Sequence, residues 1–198
     1  MADDWKVEDY FVQFEDSYYE GPLVDAPLVH KAHRVGTYVA GVLRACARCL
    51  TVDAEIPGLI AALAAVDYLA GFHAGRESRS SDYKLFMERY FPAAYGPFLE
   101  RIYSDLRCGL VHNLVAINPW RNSAGSFLLT TDVPNHLGVE GDRVVWSIRT
   151  FLVDIYRAWI MYSHHLIMGP NNDEAVERFH ARFNRLAGVG ALMERVPD

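Results

Sequence analysis

An arginine and a histidine separated by four residues, Arg107-Cys108-Gly109-Leu110-Val111-His112, stand at the end of an apolar run. These two side-chain types can break a phosphodiester bond without a metal ion. A histidine ordinarily titrates near pH 6.5, so His112 can take up or release a proton close to neutrality. Arg107 offers a planar fork of N–H donors to phosphoryl oxygens and stabilises the charge that builds on them. RNA brings the remaining reactant, a 2′-hydroxyl beside its phosphate. The next residue, Asn113, is a candidate for positioning that phosphate, although helix termination accounts for it equally well.

Residues five apart on a straight α-helix point about 140° away from each other. Arg107 and His112 therefore share a site only if the helix ends between them, or if a second copy of the chain completes the site. A homodimer with this helix in its interface is the expectation, because a two-fold axis would also double the local positive charge. A purely structural role competes with the chemical one. In it Arg107 forms an ion pair with Asp67 or Asp105, and His112 caps the helix end by donating to a backbone carbonyl.

Other chemistry-bearing residues are less well arranged. His73, Arg76, Arg79 and Lys84 form the one compact basic cluster, placed in a loop. Arg76 and Lys84 are the candidates there for a phosphate-contacting rim, against the simpler alternative of a solvated loop. Cys46 and Cys49 have the spacing of half a zinc site, but no second pair with matching spacing completes it, so packing is expected. His30 and His33 lack a third ligand and are expected to face solvent; His164 and His165 are adjacent and diverge on a helix. No metal and no cofactor is expected. The aromatics Tyr83, Phe86, Tyr90, Phe91, Tyr95 and Phe98 could stack on bases, yet their helical spacing points to core packing. No phosphate-binding glycine loop, Gly-x-Ser-x-Gly elbow or His-Glu-x-x-His run is present, which excludes the functions those motifs carry.

The elements that must position these residues follow from periodicity. The chain has 198 residues, half of them apolar, which suits a single domain with a sizeable core. A formal charge of −6 gives no long-range pull on a phosphate backbone, so generic coating of nucleic acid is excluded. The odd cysteine count and the acidic opening Met1-Ala2-Asp3-Asp4 fit a cytoplasmic protein without a signal peptide. The apolar stretch 151–168 carries Asp154 and Arg157 and is expected to be a buried helix, not a membrane span.

Helices are predicted over about 5–19, 27–50, 59–72 and 147–168, with a last one capped by Asn172 or Asp173. Asp82 caps another that ends at Phe91-Pro92. Tyr95, Phe98, Leu99, Ile102, Leu106 and Leu110 form the stripe of the motif helix, which Asn118-Pro119 breaks. Between Ser126 and Ser147, the segments 127–131 and 143–146 have strand composition with turn residues Gly138 and Glu140-Gly141-Asp142 between them. A small inserted β-hairpin is predicted near 126–147, with 136–139 as a candidate third piece.

The phrase Tyr103-Ser104-Asp105-Leu106-Arg107-Cys108-Gly109-Leu110-Val111-His112-Asn113, with Ala65-Val66-Asp67-Tyr68-Leu69 and Tyr83-Lys84-Leu85-Phe86 before it, resembles the HEPN superfamily (higher eukaryotes and prokaryotes nucleotide-binding domains). The resemblance covers roughly residues 30–165. It implies a mostly α-helical bundle, with the β-hairpin as an insertion, the core at about 30–168 and the terminal helices as additions. It further implies a dimer and, in active members, metal-independent RNA cleavage with Arg107 and His112 as the catalytic pair. Many ribonuclease members carry a polar residue where this chain has Cys108, a departure that bears on activity more than on fold. A non-catalytic binding or assembly module of a defence or toxin–antitoxin system, with an antitoxin-like protein partner, is the alternative.

Overall fold

A computed structural model describes residues 22–113, 127–131 and 134–188. The predicted N-terminal helix at 5–19 and the break at Asn118-Pro119 lie outside them. The chain is mostly helical. Helix α1 (Leu28–Cys49) turns Val35, Val39, Leu43 and Cys46 inward at three- and four-residue steps, as its sequence demands. Helix α2 (Glu55–Ala74) is apolar on nearly every side and packs against α1 and against four helices introduced below. It is the one described helix long and apolar enough to cross a membrane, and 61% of that window is buried inside the protein. Core burial accounts for its composition.

Two glycines set how closely the helices pack. Gly36 on α1 faces Trp159, whose Nε1 would lie 2.6 Å from a β-carbon at that position. Gly75 ends α2 in the left-handed region (φ 72°), where its N–H and that of Arg76 cap the carbonyls of Phe72 and Gly71. Helix α2 thus extends beyond the predicted 59–72 at both ends. Helix α3 (Ser80–Tyr90) begins where the Asp82 carboxylate accepts the Arg79 N–H at 2.9 Å, so Asp82 caps from inside the first turn.

The expected single helix through Tyr95–Leu110 is instead a series of short turns. A 3₁₀ turn (Ala93–Phe98) containing Pro97 passes into α4 (Leu99–Arg101), a π-helical turn (Ile102–Arg107) and α5 (Cys108–Asn113). Pro97 has no N–H to give and favours the tight turn, while Ile102, Leu106 and Leu110 still reach the core.

The small sheet also differs from the expected hairpin. Strands β1 (Phe127–Thr130) and β3 (Arg143–Ser147) pair in parallel, Phe127 beside Val144. The hairpin joins β3 to the short β2 (Val139–Glu140) through Gly141, whose φ of 64° suits glycine. The Glu140-Gly141-Asp142 turn sits against the start of β3, so only the residues immediately before it can fold back. Trp146 on β3 packs on Phe127, Tyr95 and Phe151 and fastens the sheet to the helices.

Helix α6 (Ile148–Met168) starts at Ser147, whose side chain accepts the Thr150 N–H, and buries Phe151, Ile155, Trp159 and Tyr162. Helix α7 (Asp173–Gly188) buries Phe179 and Phe183. Asn172 joins the two: its side chain donates to the carbonyl of Leu166 in α6, and its own carbonyl accepts the Val176 N–H.

Candidate functional site

The arginine of the motif closes the π turn, and the histidine lies on the α-helical turns that follow. The N–H of Cys108 reaches the carbonyl of Tyr103, five residues back, in place of the usual four. Wide turns of this kind recur at functional positions, and here one stands directly before Arg107.

Arg107 is half-buried and held on several sides. Its Nε donates to Asp67 Oδ2 at 2.7 Å, and Nη1 lies 3.8 Å from the sulfur of Cys108. The guanidinium carbon stands 5.5 Å over the Tyr103 ring. Burial works against its charge, but the hydrogen bond and the charge of Asp67 outweigh it and hold Arg107 firmly cationic. Of the two acids considered from sequence, Asp67 is the partner. Asp105 is buried and turned elsewhere, accepting from Ser104 Oγ at 2.6 Å and lying 3.8 Å from Arg101.

Tyr83 and Tyr103, 5.3 Å apart, form the aromatic wall behind this pair. Burial raises the Tyr83 hydroxyl far above its usual range, and the nearby Asp67 adds to the effect. Tyr103 is raised also, first by burial and in part by its hydrogen bond to Cys108. Tyr83 is fully buried in the core, as its helical spacing predicts, and its ring also backs the Arg107–Asp67 pair. The contact of Cys108 with Arg107 was not foreseen, although Cys108 directly follows it in the chain.

His112 lies on α5 and is exposed. Its neighbour Val111 is exposed too, while Leu110 is buried. Asn113 closes α5, and its side chain lies outside the described residues. Within one chain Arg107 is turned toward Asp67, while His112, the other candidate, is exposed on α5.

The candidate phosphate rim is not built as free cations. Arg76 grips Asp82 with two parallel hydrogen bonds of 2.7 and 2.9 Å, and Lys84 lies 2.7 Å from Glu100. The reason is local: Asp82 caps α3 and sits across the turn from Arg76. His73 does not belong to the loop; it is buried in the last turn of α2, where burial and the charges of Arg178, Arg89 and His165 push it down to about 4. His30 and His33 are half-buried on α1, not solvent-facing. Cys46 is buried between α1 and α2, and burial pushes its thiol up to about 12.

A second polar assembly was missed by sequence reasoning altogether. The Ser147 N–H donates to His136 Nδ1 at 2.9 Å, which leaves the imidazole proton on Nε2, 2.7 Å from the Tyr95 hydroxyl. Tyr95 in turn donates to Asp154 Oδ2 at 2.9 Å. Burial pushes His136 down to about 4 and raises Asp154 above the usual carboxylate range. Both imidazole nitrogens are engaged, so this chain fastens the sheet to α6 and leaves no ring nitrogen for a substrate. An aspartate inside the apolar stretch 151–168 was the available signal, since a buried carboxylate requires a donor.

No protein-family model, characterised protein or solved structure matches this chain.

Proposed function

We propose that this protein acts on RNA as a HEPN-like, metal-independent endoribonuclease built from two copies of the chain. The observation that carries the reading is the Arg107–Asp67 pair. Asp67 takes the Nε edge of the guanidinium and fixes its orientation, while Arg107 keeps 23% of its side chain accessible to a phosphate. An arginine oriented in advance spends less entropy on binding the transition state, where charge develops on the phosphoryl oxygens. The exposed His112 supplies the acid and base that the 2′-hydroxyl and the leaving oxygen need. A second copy placed across α5 would bring the His112 of one chain toward the Arg107 of the other, because residues five apart on a helix diverge within one chain.

One observation favours the second reading, a non-catalytic binding or assembly module with a protein partner. Asp67 already balances the charge of Arg107, so the pair is stable without a substrate.

Cleavage of labelled single-stranded and transfer RNA in EDTA separates the two. The endoribonuclease predicts cutting by the native dimer and a loss of about 100-fold or more in Arg107→Ala and in His112→Ala, with the dimer retained. No cutting, or equal cutting by all three proteins, overturns the ribonuclease reading, and the module then stands to be tested by a search for its protein partner.

A further inference from the structure

The end of the bundle where α2, α3 and α6 finish collects positive charge and buried donors that the protein itself does not satisfy. His73, Tyr90 and Tyr162 come from these three helices, and their ring centroids lie 5.3–5.8 Å apart. Each is at least nine-tenths buried: His73 is 6% exposed, Tyr90 4% and Tyr162 0%. His73 Nε2 and both phenol oxygens are buried without a hydrogen-bond partner among the described residues. Buried polar groups left so are costly to the fold.

Two arginines border the cluster. Arg89 lies 5.7 Å from the Tyr90 ring, is exposed, and has no carboxylate partner among the described residues. Arg178 comes from α7, brought close by Gly75, where a β-carbon would meet the Arg178 backbone at 3.0 Å. Its Nε is buried without a partner among the described residues, and its ion pair is with Glu174, which is 81% exposed. A surface pair of that kind contributes little and exchanges readily. The half-buried His165 joins the cluster with its ring 6.4 Å from that of Tyr90, and the charges of Arg89 and Arg178 lower both His73 and His165.

Cations are often found at helix C-termini, where they offset the carbonyl ends of the dipole. Here several of those carbonyls already have donors. The N–H groups of Gly75 and Arg76 serve α2, that of Phe91 serves α3, and Gly169 with the Asn172 side chain serves α6. Arg89 and the Nε edge of Arg178 are left over, beside hydroxyls that need acceptors. A tetrahedral oxyanion answers both needs, because its oxygens accept from guanidinium forks and phenols together.

We infer that Arg89 and Arg178, backed by Tyr90, Tyr162, His73 and His165, receive a phosphoryl group at this end of the bundle. The site is separate from Arg107 and does not rest on the ribonuclease reading. Free phosphate and the phosphate of a nucleotide share the chemistry, and titration distinguishes them.

Calorimetric titration of the full chain with inorganic phosphate, against chloride at equal ionic strength, is the test, with adenosine 5′-monophosphate as the second arm. Saturable phosphate binding that weakens about ten-fold or more in Arg89→Gln and in Arg178→Gln is expected. Tighter binding of the nucleotide than of phosphate assigns the site to a phosphate ester; equal or weaker binding assigns it to the free anion. No saturable binding of either ligand, or unchanged binding in Arg89→Gln, overturns the proposal. Arg89 is exposed, so its variant decides the matter even if Arg178→Gln fails to fold.

Discussion

Arg107 reaches across forty residues of sequence to place its Nε 2.7 Å from Asp67 Oδ2, tying the motif turn to the middle of α2. Fixing a guanidinium in this way gives it a direction as well as a charge. Direction is what phosphoryl chemistry asks of an arginine.

The pair should show up as coupling. In a double-mutant cycle of Arg107→Ala and Asp67→Ala, urea unfolding is expected to give an interaction energy of about 1.5 kcal/mol, the usual worth of a hydrogen bond to a charged group. Additive effects would mean that the contact contributes nothing to stability.

Arg107→Lys separates charge from geometry. Lysine keeps the positive charge but cannot hold Asp67 with one edge and a phosphate with another. RNA cleavage is expected to fall nearly as far as in Arg107→Ala. Retention of more than half the native rate would show that charge alone suffices.

Acid should loosen the fold before it reaches the carboxylates. His136 and His73 are both pushed down to about 4, first by burial, while an unfolded histidine holds its proton up to about pH 6.5. Between those values the unfolded chain binds more protons, so this stability is complete above about pH 6.5 and is lost as pH falls toward 4. Each histidine contributes on the order of 3 kcal/mol across that window. Asp154, raised by burial, acts in the opposite sense. Urea midpoints should fall steadily from pH 7 to 4.5, and His136→Gln should flatten the fall by about one proton; a level native profile would contradict this.

Tyr95→Phe removes the hydroxyl between His136 and Asp154 while keeping the ring. The buried carboxylate and the imidazole N–H are then left without their partner, at a cost of about 1–3 kcal/mol. Thermal unfolding measures it, with Phe91→Leu as a packing control that leaves the network intact. An unchanged midpoint would mean that the network contributes no stability.

Gly36→Ala tests the closest helix approach. A β-carbon there meets the Trp159 indole, itself buried, and overpacking is expected to cost about 1–3 kcal/mol. Gly41→Ala, on the same helix with open space around it, should be neutral or slightly stabilising. Equal effects of the two would show that Trp159 yields without penalty.

Much of this was legible in the chain. The spacing of Val35, Val39, Leu43 and Cys46 defines α1 almost to the residue, and the Gly169–Asp173 punctuation separates α6 from α7. What escaped depends on distant partners. Nothing near Arg107 announces a π turn, and nothing in Phe127–Thr130 states that its neighbour runs parallel. Asp67 was legible as one of two candidate partners, and only packing chose it over Asp105. The clusters around Tyr95 and His73 draw on residues 59 and 89 positions apart (Tyr95 to Asp154, His73 to Tyr162), beyond any local pattern.

The π turn also sets phase. Each five-residue hydrogen bond accommodates one residue more than an α turn does, and a residue is worth about 100° of rotation. Removing one residue between Tyr103 and Asp105 would let an ordinary helix close up, and α5 would swing by more than a quarter turn relative to α2. Leu110 would leave the core and Arg107 would lose Asp67, although every residue of the motif itself was still present. The spacing between arginine and histidine is thus half of the specification, and the other half lies in the residue count before the arginine.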